Sequence, residues 1–139
     1  MIRRQLINFQ NRSVDVRVGL GAFDELSRMF ASAVGKPKRA MVVWNSASSE
    51  RFDEVVEHAL VDAGFAVSQF SLEVSPAGAT LADADAIFGA LSANGITCDD
   101  LVVAVGDAAT CSVVSWCANQ WCGRTECALL PTTFDAMLT

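Results

Sequence analysis

The sequence predicts an α/β domain of three layers, a mostly parallel sheet with helices on both faces and a β-hairpin at the N-terminus. Three observations carry that expectation. Two continuous apolar runs, Ala40-Met41-Val42-Val43-Trp44 and Leu101-Val102-Val103-Ala104-Val105, suit strands buried on both faces of a parallel sheet. Segments with apolar residues at helical spacing lie between and after them, so strands and helices alternate. Ahead of them, two stretches of period-two alternation, 4–9 and 13–18, flank Gln10-Asn11-Arg12, which is the pattern of a hairpin.

Each element has its own signal. Phe23, Leu26, Met29, Phe30, Ala33 and Val34 form a helical stripe that Gly35-Lys36-Pro37 stops. After the strand at 40–44, Ser48 or Ser49 is expected to cap the next helix. That helix carries Phe52, Val55, Val56, Ala59, Leu60 and Ala63 at i, i+3, i+4, i+7, i+8 and i+11, and Gly64 ends it. His58, the single histidine, falls off this stripe and is read as an exposed surface residue. Val67, Phe70 and Leu72 mark a strand over 66–72, followed by a turn at Pro76-Ala77-Gly78. Leu81, Ala84, Ile87, Phe88 and Leu91 make a helix closed by Asn94-Gly95. Gly106 breaks the strand at 101–105, and Ala109, Val113, Trp116, Cys117 and Trp121 lie near one stripe of a last helix. Helices are thus expected at about 21–34, 49–63, 80–93 and 108–121, to within about two to four residues.

Composition narrows the function classes. A chain of 139 residues favours one domain, and a hydrophobic fraction of 52% suits a compact core rather than disorder. The net charge of −6 argues against nucleic acid or an anionic membrane surface as a partner. No apolar run approaches a membrane span. The five cysteines include no C-x-x-C pair, and the spacings from Cys111 to Cys127 suit no zinc pattern. They are read as reduced thiols of a cytoplasmic protein.

The stretch from 101 to 112 is the candidate site. Strand, small-residue turn and helix together aim backbone N–H groups and the positive helix end at an anion. Such a turn lies at the carboxyl end of a strand, where open α/β sheets bind phosphates. The same spacing also describes a plain strand–helix unit with nothing bound.

The residues carry a resemblance as well. Leu101-Val102-Val103-Ala104-Val105-Gly106, then Trp116, Trp121 and Leu130-Pro131-Thr132-Thr133-Phe134, follow without a gap a pattern of the 3-dehydroquinate synthase family. That pattern reads L-V-V-A-L-G-G-G-V-V-G-D-L-x-G-F, then A-A-x-x-Y-x-R-G, then V-P-T-T-L. At the other end, Arg12-Ser13-Val14-Asp15-Val16-Arg17-Val18-Gly19-Leu20-Gly21, closed by Leu26, resembles R-S-Y-x-I-x-I-G-x-G-x-x-x-x-L. The departures fall on the turn and its surroundings. Three glycines become Gly106, Asp107 and Ala108, a Gly-Asp pair becomes Cys111-Ser112, and Arg-Gly appears reversed as Gly123-Arg124. Where the family has T-D-x-N-V, its Asp and Asn positions hold Asn45 and Ala47. Its P-x-G-E-x-x-K-T-L has lost three residues, so that Ala79 stands for the Lys.

The resemblance covers the first domain of the family only, and it implies both the strand order and the function. Members use bound NAD to convert a seven-carbon sugar acid phosphate into 3-dehydroquinate, a lyase step of the shikimate pathway. Carried over residue by residue, it sets the cofactor against Asn45, Gly78, Ala79, Thr132, Thr133 and the turn Gly106-Asp107-Ala108-Ala109-Thr110-Cys111-Ser112, and it sets Arg124 at the substrate. The helical domain with the family's metal site, one glutamate and two histidines, is expected to be absent from this chain, which assigns no catalytic residue and no metal ligand here. The expected partner is a small-molecule nucleotide at most, and a homodimer is left open.

NAD binding is expected to be weak or lost. A carboxylate about 4 Å from a phosphate charge costs up to about 4 kcal/mol at an intermediate effective dielectric, close to three decades in affinity. A helix terminus returns only about 0.3–1 kcal/mol at an exposed site. With the second domain missing, Phe134, Met137 and Leu138 are expected to be exposed. Two other readings stand beside this one. One is a fragment of a related sugar-phosphate cyclase or glycerol-dehydrogenase-like enzyme, the other a non-catalytic binding or dimerisation module derived from the family.

Overall fold

The computed structural model describes residues 1–36, 38–46, 52–75 and 77–138. The chain opens with a hairpin, β1 (Arg3–Phe9) and β2 (Arg12–Val18), paired antiparallel around Gln10-Asn11. Arg12 therefore belongs to the second strand, opposite Phe9, and the turn is one residue shorter than the alternation suggested. The two strands make a sheet of their own. Arg17 donates to Glu25 at 2.7 Å and so ties the hairpin to the short 3-10 turn Ala22–Glu25.

From there strands and helices alternate: α1 (Leu26–Ala33), β3 (Arg39–Asn45), α2 (Asp53–Asp62), β4 (Ala66–Leu72), α3 (Leu81–Ala93), β5 (Leu101–Gly106), α4 (Ala108–Gln120), β6 (Glu126–Pro131) and α5 (Phe134–Met137). The second sheet has the order β4-β3-β5-β6, and each of its neighbouring pairs is parallel. The pleat sorts the central residues by parity. Ala40, Val42, Leu101, Val103 and Val105 face Leu26 and Phe30 of α1 and Val56 and Leu60 of α2. Met41, Val43, Val102 and Ala104 face Ile87 and Leu91 of α3 and Cys111, Val114 and Cys117 of α4. The sheet is thus covered on both sides, as its uninterrupted apolar strands require.

Helix boundaries follow local chemistry. Thr80 and Asp83 form a reciprocal capping box at the start of α3, with the Asp83 carboxylate accepting from Thr80 N at 2.8 Å. Asn94 closes the same helix and Gly95 follows at φ 64°, a left-handed geometry that suits glycine. Helix α2 begins at Asp53, later than the expected start at 49, and the expected caps Ser48 and Ser49 lie outside the described residues.

Four apolar residues on expected inner stripes face outward. Phe23, Val55, Leu81 and Trp116 are 44%, 46%, 80% and 50% exposed. A helix against one face of a sheet buries only the arc that touches it, and in α4 that arc is filled by Cys111, Val114, Cys117 and Ala118. Trp116 stands at its edge, 6.1 Å from the ring of Phe88. His58 is exposed on α2, as its place off the stripe implies.

Candidate functional site

The strand order sets where the candidate site lies. From β3 the chain moves outward to β4, then returns across β3 to β5 and β6. Beyond the carboxyl ends of β3 and β5 the connections therefore leave in opposite directions, and this is the place in a doubly wound sheet where ligands bind. Asn45 ends β3 and Gly106 ends β5; Gly78 and Ala79 lie on the β4–α3 connection, and Thr132 follows β6. The structure brings these residues to one edge of the sheet.

The turn after β5 is closed by its own side chains. Asp107 is the N-cap of α4, and its Oδ1 accepts from the Thr110 backbone N–H at 3.0 Å and from the Thr110 hydroxyl at 2.7 Å. Thr110 is fully buried. A Cβ built on Gly106 would stand 3.0–3.2 Å from Cβ, Cγ2 and Oγ1 of Thr110, so this chain fills the space beside the glycine itself. The Gly106 carbonyl accepts from Thr132 N at 2.9 Å and from Cys111 Sγ at 3.6 Å, which joins the ends of β5 and β6. Ala108 and Ala109 open the helix with methyl side chains, and Ser112 is exposed one turn on.

The other candidates are held in local structure. Asn45 is buried, and its Nδ2 donates to the Val74 carbonyl at 3.0 Å, pinning the β4–α3 connection to the end of β3. Thr133 donates through its hydroxyl to Asp135 at the start of α5. Gly78 and Ala79 are exposed, and Ala79 has no polar side-chain group to offer. Ala47, at the family's Asn position, lies outside the described residues.

Arg124 does not join this edge. It precedes β6 and pairs with Glu126 at 3.8 Å, while Pro131 at the far end of β6 sits opposite Gly106. At about 3.3 Å per residue the strand separates the two groups by roughly 20 Å. The expected substrate contact at Arg124 is therefore not part of the arrangement around Gly106.

The thiols divide by burial. Burial and the nearby Asp107 carboxylate push Cys111 up to about 11, burial pushes Cys117 to about 11, and burial with neighbouring thiols and Glu126 pushes Cys127 to about 12. Such thiols stay protonated and unreactive near neutral pH. A disulfide-reagent titration at about pH 8 is expected to label Cys98 and Cys122, both exposed, and to reach the other three only on unfolding. Labelling of Cys111 or Cys127 at the rate of Cys98 would contradict this packing.

Sequence reasoning identified Asp107 as an unfavourable charge but missed that it caps the helix. The signal was present in Asp107-Ala108-Ala109-Thr110, an Asp directly after a strand-ending glycine with its hydrogen-bonding partner three residues on. The role of Val74 as the acceptor for Asn45 had no local signal.

No protein-family model matches the chain. The 3-dehydroquinate synthase of Nocardia farcinica (strain IFM 10152) is 28% identical over 123 residues, which are 88% of this chain and 33% of that protein. The chain is similar to 3-dehydroquinate synthase over most of its own length. Solved structures agree on the fold. A 2-deoxy-scyllo-inosose synthase complexed with carbaglucose-6-phosphate, NAD+ and Co2+ superposes with a TM-score of 0.78 at 19% identity, over 96% of this chain and 36% of the other. Another structure of 2-deoxy-scyllo-inosose synthase gives 0.79 at 18% identity, over 96% and 37%. The chain thus spans about a third of the length of the relatives it matches. No helix among the described residues is long and apolar enough to cross a membrane.

Proposed function

We propose that this chain is the nucleotide-binding-type, first domain of a sugar-phosphate cyclase of the 3-dehydroquinate synthase kind, and that it binds NAD weakly or not at all. The likeness to 3-dehydroquinate synthase supports the first half of this reading, and the fold it shares with 2-deoxy-scyllo-inosose synthase agrees with it. One observation carries the second half: the Asp107 carboxylate already holds the N–H of Thr110 at the start of α4. A pyrophosphate seated there would have to displace that carboxylate or accept its charge at short range. The crowding of Thr110 against Gly106 points the same way. The residues present therefore do not suit the cofactor, and no chemical step is assigned to this chain.

Calorimetric titration of the purified chain with NAD tests the reading. A dissociation constant weaker than about 10 μM, which corresponds to about −7 kcal/mol, is the expected result. Tighter binding would overturn it. The exposed apolar side chains of the hairpin, among them Ile7, Phe9, Val14 and Val18, favour a second reading, a binding or dimerisation module derived from the same family.

A further inference from the structure

We infer that Asp107 is the specificity-determining residue of this turn, an internal anion that excludes phosphate groups from the start of α4. The inference rests on the reading above and explains it by one side chain rather than by several altered contacts.

The first turn of a helix has N–H groups without intrahelical acceptors, and a phosphate or a side-chain oxygen can satisfy them. Here a side-chain oxygen does so. Asp107 Oδ1 accepts both the backbone N–H and the hydroxyl of Thr110, so both Thr110 donors are spent on the protein's own carboxylate. The fixed negative charge acts on any second anion that approaches. Thr110 is fully buried against Gly106, which keeps the closed arrangement packed. The altered positions Asn45, the last residue of β3, and Ala79, on the connection after β4, leave these donors untouched.

Inorganic pyrophosphate separates the two explanations, because it carries only the phosphates that would sit at the start of α4. Wild-type chain, Asp107→Gly and Asp107→Asn are titrated with pyrophosphate at one fixed ionic strength. Asp107→Gly removes the charge and frees both Thr110 donors. Asp107→Asn removes the charge while retaining a residue that caps well, so it remains informative should the glycine variant fail to fold. At least tenfold tighter pyrophosphate binding in either folded variant than in wild type is expected. Less than tenfold in both overturns the inference and moves the cause of weak binding to other residues, while the wild-type NAD titration tests the proposed function separately.

Discussion

Phe30→Ala is expected to lower the stability of the domain by about 4 kcal/mol, within the usual cost of about 3–5 kcal/mol for removing a buried aromatic ring. Phe30 is 1% exposed and belongs to the cluster that joins α1 to α2 and to one face of β3 and β5. Its neighbours there, Leu26, Val56, Leu60, Val42 and Val103, come from other elements as well as from its own helix, so the space left cannot be closed by one local shift. A loss of this size is a large share of the about 5–15 kcal/mol typical of a domain. Phe23→Ala serves as the comparison. Its ring is 44% exposed and stacks on Phe52 at 5.4 Å, and truncation there is expected to cost about 1 kcal/mol. Urea denaturation of both variants, with unchanged slopes, gives the two values. Equal losses at the two positions would mean that α1 does not pack on the sheet as described.

The second large effect is expected at Asp100. This carboxylate is 2% exposed. Its Oδ1 accepts from Arg39 N at 3.1 Å, and its Oδ2 accepts from Thr97 N at 2.8 Å and Thr97 Oγ1 at 3.0 Å. It therefore holds the start of β3 to the connection that enters β5, at the edge of the sheet opposite Gly106. Asp100→Ala removes the acceptor from two backbone donors, at about 1–3 kcal/mol for each group left unsatisfied, and a loss of about 3 kcal/mol is expected. Its neighbour behaves differently. Asp99 is exposed and lies 3.9 Å from Lys38, a surface pair, so Asp99→Ala is expected to stay within about 0.5 kcal/mol of wild type. Thermal or urea melts of the two alanine variants make the comparison directly. A small effect at Asp100 would show that water replaces the carboxylate and that this end of the sheet is open.

Together these variants separate scaffold from site. Phe30 and Asp100 act on the sheet and its amino edge, whereas Asp107 acts on the carboxyl edge where the proposed function lies. A change in ligand binding at Asp107 that exceeds any loss of its helix cap in melting, and the reverse at Phe30 and Asp100, is the pattern that this division requires.

Sequence alone determined the elements whose signals are periodic and local. The runs at 40–44 and 101–105 had to be doubly covered strands, because an uninterrupted apolar strand has no face to show to water. The stripes that include Leu26 and Phe30, or Val56 and Leu60, and the closure at Asn94-Gly95, follow from spacing and from backbone conformations that few residues adopt. The site was legible as a place, since a glycine at the end of a buried strand before a helix has a small set of uses. Tertiary structure decided what depends on partners distant in the chain. Whether Asp99 or Asp100 is the buried acceptor turns on Arg39, 61 residues from Asp100, and no periodicity distinguishes two adjacent aspartates. Asn45 became a brace because the Val74 carbonyl arrives beside it, 29 residues on. Trp116 faces outward because the sheet admits only one arc of α4. Arg124 lies apart from Gly106 because the strand between them runs the full height of the sheet. The sequence marks Asp107 as a charge and, with Thr110 three residues on, offers it a capping role, but a carboxylate after a glycine can also point toward a ligand, and the fold decides between the two. The free N–H groups at the start of α4 and the buried Thr110 hydroxyl turn it inward.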